Sequence, residues 1–340
     1  MNDLINDIIK ENEKSKNEID NILNINNNIL INKEININNN NDALFNNYDI
    51  KSKELMLTIK VHKNIIFCSV LLNDGRFATG SLDKSIIIYN KKTFKPDLII
   101  KEHKYSVSYL LQLSSGLLAS CSGDYTIKIF NINNNNYKIE QTLNEHKDWV
   151  NGIIELNNKK LISCSGDKSI IIYSKVNNKY KKDYQLNIND VCWNVIQTQE
   201  NEICYSEGSY SIYFYDVINK KYIYKIENIS IASNNCFNMI TKDLLLILGK
   251  NILTIINVNQ HKLIRKINVP NSDSIFSSCI LNKNNILTGD YRGQIKHWRI
   301  EEDNLKLISI KEKAHNYKIF ILLKLEDGHI LSGSKEIKIW

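Results

Sequence analysis

From about residue 54 to the end of the chain, apolar and polar positions follow one pattern seven times. A short apolar run gives way to a polar turn, then to a second apolar run ending in small hydroxyl residues. A tight turn and an Ile-rich run complete the unit. SCSGDKSIIIY (163–173) shares seven of eleven letters with SCSGDYTIKIF (120–130). FATGSLDKSIIIYN precedes both, and ICYSEGSYSIYFYDV, LLILGKNILTIINV, ILTGDYRGQIKHWRI and ILSGSKEIKIW follow. Aligned on the first Ile of the Ile-rich run, the copies fall at Ile86, Ile127, Ile170, Ile212, Ile252, Ile295 and Ile337. Their spacings are 41, 43, 42, 40, 43 and 42 residues.

Short β-branched runs between Asn, Gly, Asp and Lys turns predict strands. In the third copy WVNGIIEL, LISCS and SIIIY are three strands, and KYKKDYQLN supplies a fourth. Four strands per 40–45 residues is the repeat of a propeller blade. On these seven copies, over about residues 54–340, the chain resembles the WD40-repeat family. The last copy stops at Trp340, where a third strand finishes, whereas ELMLTIKVH (54–62) is a strand pattern with no blade of its own. The resemblance implies that this strand completes the last blade, closing the ring and leaving no unpaired edge. The expected fold is all-β, a seven-bladed β-propeller over 49–340 closed by an N-terminal strand.

In that family a His, a Ser or Thr, an Asp and a Trp form a hydrogen-bonded chain within each blade. Buried polar groups must satisfy one another, and a satisfied network stiffens the blade. Carried onto this sequence, the residues are His62, Thr79 and Asp83; His103, Ser120 and Asp124; His146, Ser163 and Asp167. Tyr89, Phe130 and Tyr173 take the Trp position. The fourth copy has Ser209 and the sixth Arg292 in place of the Asp, neither has the His, and the fifth copy is a residue short. The last keeps His315, Ser332 and Trp340. Repetition round a ring makes these Asp–His pairs structural rather than catalytic dyads.

An apolar content of 43% is ordinary for a globular chain. Seven cysteines fall singly on expected strands, without CxxC or a zinc-like Cys/His spacing. They read as buried small apolar residues in a reducing compartment, cytoplasm or nucleus. The start, MNDLINDIIK, is unlike a secretory signal, and the longest apolar run, LLLIL, is too short to span a bilayer. Of the formal charge of +7, Lys91-Lys92, Lys159-Lys160, Lys181-Lys182 and Lys220-Lys221 are expected in turns on one side of the ring, interrupted by Glu301-Glu302-Asp303. They read as solvated loops, with an acidic partner or a phosphate-bearing surface as the sharper alternative. No lysine–aromatic platform for single-stranded nucleic acid stands out. HExxH, GxSxG and a phosphate-cradling glycine loop are absent from the sequence, so an enzyme is disfavoured and no metal or cofactor is implied.

Residues 1–48 are a different material: 17 of the first 50 residues are Asn. Residues 2–30 carry a weak heptad, Ile5, Asn12, Ile19 and Asn26 at one seam position and Ile8, Ser15, Ile22 and Ile29 at the other, compatible with a helix that pairs with a helical partner. Residues 33–47 read as a linker. A helix before a seven-bladed ring is similar in layout to heterotrimeric G-protein β subunits, whose helix pairs with a small γ subunit.

WD40 relatives commonly take peptides or domains on the face where the Asp turns meet the His-bearing turns. Residues that map to that rim are Lys104, Tyr105, Asp148, Trp149, Trp193, Phe276, Tyr291, Arg292 and Tyr317. Aromatics and Arg make good anchors there. The expected function is a non-catalytic scaffold that presents this face to a protein or peptide. The alternatives are a phosphoinositide-binding propeller, for which YRGQ (291–294) replaces the FRRG of the family known for it, a G-protein β-like subunit, and a propeller enzyme.

Overall fold

Each sequence copy folds as a four-stranded antiparallel sheet whose strands lie side by side in chain order, except the last. The computed structural model describes residues 48–133, 135–232, 236–269, 274–301 and 304–340. In the third blade the strands are Val150–Glu155, Leu161–Ser165, Ser169–Val176 and Lys179–Asn187; the second and fourth are the predicted LISCS and KYKKDYQLN, residue for residue. All seven aligned isoleucines lie in third strands.

The burial pattern explains why the middle runs are continuous rather than alternating. Leu161–Ser165 is buried at every position, as are Phe77–Ser81, Leu118–Ser122 and Leu244–Leu248. Such strands are covered on both faces by neighbouring blades and can carry small hydroxyls only where those are bonded. Fourth strands lie outermost and are largely exposed, as in Lys179–Asn187. In blades one to six the register between third and fourth strands slips by one residue, at Ile88/Tyr89, Ile129/Phe130, Ile172/Tyr173, Phe214/Tyr215, Ile255/Ile256 and His297/Trp298. A bulge at each outer edge increases its twist and blunts edge-to-edge pairing.

At five of the seven junctions the first strands of adjacent blades touch, and so line the axis. Side chains there bond from blade to blade: Ser108 Oγ donates to Val150 O at 2.5 Å, Asn151 Nδ2 to Cys192 O at 2.9 Å, and Ser277 Oγ to Ile319 O at 3.0 Å. Asn194 Oδ1 accepts from Cys236 N at 2.7 Å.

The ring closes as the sequence implied. Leu57–Ile59 is the outer strand of the last blade, with Leu57, Thr58 and Ile59 opposite Ile339, Lys338 and Ile337. The clasp also extends further upstream than expected. Tyr48 and Ile50 are buried beside Leu287, Ile295 and Trp340, and the Tyr48 ring meets His297 edge-on at 5.8 Å. Asp49 caps the 3-10 turn Ile50–Ser52 and accepts from Ser309 Oγ at 2.5 Å. Tyr48 therefore belongs with the ring, one residue before the expected boundary. The expected helix and coiled coil over 2–30 and the linker over 33–47 lie outside the described residues, as do Glu302 and Asp303. Among the described residues no helix is long and apolar enough to cross a membrane.

Two expectations about charge and thiols meet the structure directly. All seven cysteines are buried and outside any disulfide, and burial raises the thiols of Cys68, Cys121, Cys192, Cys204 and Cys279 well above their usual range. Lys181-Lys182 is not in a turn but inside the strand Lys179–Asn187, because the chain reverses earlier, at Asn177 and Asn178, both at positive φ. Several lysines of this side are engaged: Lys160 with Asp183 at 2.7 Å, Lys91 with Asp74 O at 2.8 Å, and Lys220 over the Tyr184 ring at 4.4 Å.

Candidate interaction face

The turns between second and third strands share one end of the ring with the connections between blades. Three blades build that end alike. His62 Nδ1 lies 2.9 Å from Asp83 Oδ2, and its Nε2 lies 2.8 Å from Thr79 Oγ1. His103 repeats this with Asp124 and Ser120 at 2.9 and 2.7 Å, and His146 with Asp167 and Ser163 at 2.9 and 2.7 Å. Each His donates its Nδ1–H to its Asp and sets Nε2 against the hydroxyl. Each Asp also accepts a backbone N–H next to its His, from Lys63, Lys104 or Lys147. Burial opposes charge on Asp83, Asp124 and Asp167, but the bond and charge of the paired His outweigh it and hold all three well below the usual carboxylate range. The histidines are almost wholly buried, so these pairs staple turns rather than face a substrate.

In the seventh blade Trp340 Nε1 donates to Ser332 Oγ at 2.7 Å, which lies 2.7 Å from His315 Nε2. The sixth blade holds a version the sequence reading missed. Trp298 Nε1 donates to Thr288 Oγ1 at 2.8 Å, and Lys296, fully buried, pairs with Asp290. Gln294 Oε1 also accepts from Lys296 Nζ at 2.8 Å. Thr288 opposes Lys296 as Thr79 opposes Ile87, so a Lys–Asp pair stands where earlier blades have His–Asp. The signal was legible in TGDYRGQIKHW: a Lys on the buried face of a central strand needs an acid nearby. In blades four and five Tyr205 and Ile247 take the hydroxyl position and the staple gives way to packing.

These turns hold up two aromatic clusters, and the nine residues mapped to the rim divide between them and the core. On blades two and three, Tyr105 and Trp149 are both half-buried and meet edge-on at 5.1 Å. They lie over Gly123, where a Cβ would come within 2.7 Å of the Tyr105 ring and 3.0 Å of the Trp149 ring. Exposed Lys104 and half-buried Asp148 flank them; Asp148 Oδ1 caps Trp149 N at 2.7 Å and its carboxylate overhangs Gly166. On blades six and seven, exposed Tyr291 and Arg292 and half-buried Tyr317 form the second cluster. Lys318, which holds the place after its His that Trp149 holds after His146, sits 4.5 Å over Tyr291 and 6.0 Å from Tyr317. Trp193 and Phe276 are corrections: they are 5% and 2% exposed. Phe276 stacks at 6.0 Å on Phe320, which meets Phe67, so it is part of the packing round the axis.

Two grooves of about 440 and 530 Å³ lie at the other end, between blades seven and one, lined by Met56, Phe94, Asp327 and His329 among others. Among the described residues no group of three or more His, Cys, Asp or Glu is placed to hold a metal ion.

The family model for the WD domain, G-beta repeat, matches residues 53–90 and 137–174. The first stretch includes the closing strand and most of blade one; the second joins the end of blade two to blade three. Those two matches, with seven four-stranded blades round one axis, support a WD40-repeat propeller family for this chain. No curated protein matches it significantly.

Proposed function

We propose that this propeller is a non-catalytic scaffold that takes a protein or peptide segment on the Tyr105–Trp149 rim. WD40 propellers are in general interaction modules, and the observation that carries the choice of rim is the aromatic pair over Gly123. Two large rings sit half-buried, already in contact and fixed by the stapled turns of blades two and three. A partner would bury the remaining area with little loss of side-chain freedom. Lys104 and Asp148 on either side offer one donor and one acceptor to orient a main chain. Tyr291, Arg292 and Tyr317 give a second point of purchase across the ring. Seven buried cysteines outside any disulfide suit a reducing compartment, cytoplasm or nucleus.

Affinity capture from the native cell extract, with the intact chain and with Trp149→Ala, tests the reading. A partner enriched by the first and lost from the second supports it. Identical partner sets, with both proteins melting alike, refute it.

A further inference from the structure

Charge on the outside of the ring is unevenly placed. The outer strands of blades three, four and five read KYKKDYQLN, KYIYKIE and KLIRKIN, over Lys179–Asn187, Lys221–Glu227 and Lys262–Asn268. They carry eight Lys and Arg, all exposed, against two carboxylates, Asp183 and Glu227. The outer strands of blades one and two carry a single lysine, Lys138, against Asp97 and Glu140. An excess of six positive charges thus falls on three strands of a chain whose whole formal charge is +7.

The flank is continuous across the blades. Tyr184 Oη of blade three donates to Val217 O of blade four at 2.8 Å, and Lys220 of blade four lies 4.4 Å over the Tyr184 ring. Tyr224 of blade four stacks on His261 of blade five at 6.0 Å, and Lys266 Nζ donates to Asn228 O at 2.7 Å. In the middle of the basic arc stand Tyr222 and Tyr224, 50% and 53% exposed, with Ile223 between them. No other outer strand presents adjacent exposed large apolar side chains among the described residues.

We infer that this flank binds single-stranded nucleic acid, with phosphates along the lysines and bases on the rings of Tyr222 and Tyr224. Basic residues interleaved with exposed aromatics are what an unpaired strand needs, because its charge repeats along the backbone while each base offers a π-face. The arc is convex and crosses three blades. A flexible polymer can follow that curvature, whereas a planar bilayer touches one blade edge at a time. An acidic peptide would use the lysines but gives the rings nothing to stack on. This site is separate from the Tyr105–Trp149 rim and does not depend on it. The sequence alone hides it because each strand belongs to a different repeat and only the ring sets them side by side.

The test is fluorescence anisotropy of a labelled 20-residue oligouridine titrated with the intact chain at 50 and 200 mM salt. Saturable binding should weaken with salt along a log–log slope of about −2 to −4, as three to five phosphate contacts give at roughly −0.7 each. Tyr222→Ala/Tyr224→Ala should lower affinity about tenfold or more at fixed salt, while Tyr222→Phe/Tyr224→Phe, which keeps both rings, should bind like the wild type. Lys181→Glu/Lys221→Glu/Arg265→Glu should abolish binding without moving the thermal melt. Absence of binding at 50 mM salt overturns the inference. So does a duplex of the same length bound as tightly as the single strand, or an alanine pair that binds unchanged, since either leaves only charge. Flotation with phosphatidylserine vesicles in the absence of oligouridine binding would instead assign the flank to a membrane and overturn it.

Discussion

Replacing Lys296 with Ile, the residue blade one carries at the equivalent Ile87 position, isolates the substitute staple of blade six. Lys296 and Asp290 side chains are each 1% exposed, so removing the cation leaves a carboxylate with neither water nor a counter-charge. Breaking a buried pair from one side costs about 3–5 kcal/mol. Asp290 keeps the backbone N–H groups of Arg292 and Gln294, both at 3.0 Å, which places the expected loss near the lower end. In a ring this size that lowers the melting temperature by on the order of 5–10 °C. Restoring the blade-one residues at both positions should recover the loss. Ser81 accepts from Asp83 N at 3.0 Å, so in Asp290→Ser/Lys296→Ile a serine can take one of the same backbone bonds, and no charge remains buried. The double variant should lie within about 1 kcal/mol of the wild type, since apolar replacement of a buried pair is often neutral. Urea titration followed by tryptophan fluorescence, with a thermal melt beside it, reads both variants. A single variant as stable as the wild type, or a double variant no better than the single, would refute the pair as the counterpart of His–Asp.

Other perturbations probe the clasp, the rim and acid stability. A chain beginning at Tyr48 should melt like the full chain, whereas one beginning at Val61 loses the closing strand and the buried Tyr48 and Ile50 and should aggregate or lose its cooperative transition; equal melts would exclude closure by this strand. Gly123→Ala should displace the Tyr105–Trp149 pair and reduce partner capture as Trp149→Ala does, with a stability change of about 1 kcal/mol or less; undiminished capture would separate the pair from binding. Burial lowers His297 to about 4, and burial with Lys338 nearby lowers His315 to about 3. Both are neutral in the fold while the unfolded chain protonates near 6.5, so their contribution is complete above about pH 6.5 and fades as pH falls toward 4 and 3. Each is worth on the order of 3 kcal/mol, and urea midpoints should drop between pH 7 and pH 5. A further drop should follow below about pH 4, where the unfolded chain protonates Asp83, Asp124 and Asp167 while the fold still holds them charged; unchanged midpoints at pH 5 would place both buried histidines in the wrong environment.

The fold was legible because the repeat made every element a comparison with six others. Ile86 to Ile337 could be aligned without knowing which way any strand faced, and the short last copy pointed to ELMLTIKVH as its missing strand. The staples of His62, His103, His146 and His315 were readable for the same reason. Where a blade solved its polar problem differently, as Lys296 and Asp290 do, alignment showed only a departure from the pattern. The rim was half legible. Position along the chain places a residue at the right end of a blade but does not say whether its side chain turns outward. Trp149 and Lys318 hold equivalent places, yet one rests on Gly123 and the other over Tyr291, because the preceding blade's turn offers space in one case and an aromatic face in the other. Phe276 turned inward because Phe320 and Phe67 fill the axis beside it. Tyr48 was missed because a single aromatic in an Asn-rich stretch carries no period.

The central claim is that partners meet the end of the ring bearing the stapled turns. A photo-crosslinking amino acid placed at Tyr125, 44% exposed in the turn beside Gly123, and separately at Lys92 in a turn at the opposite end, reads this directly in native extract. Adducts from position 125 that disappear in the Trp149→Ala background, with none from position 92, are the expected result. Adducts from position 92 alone would contradict it.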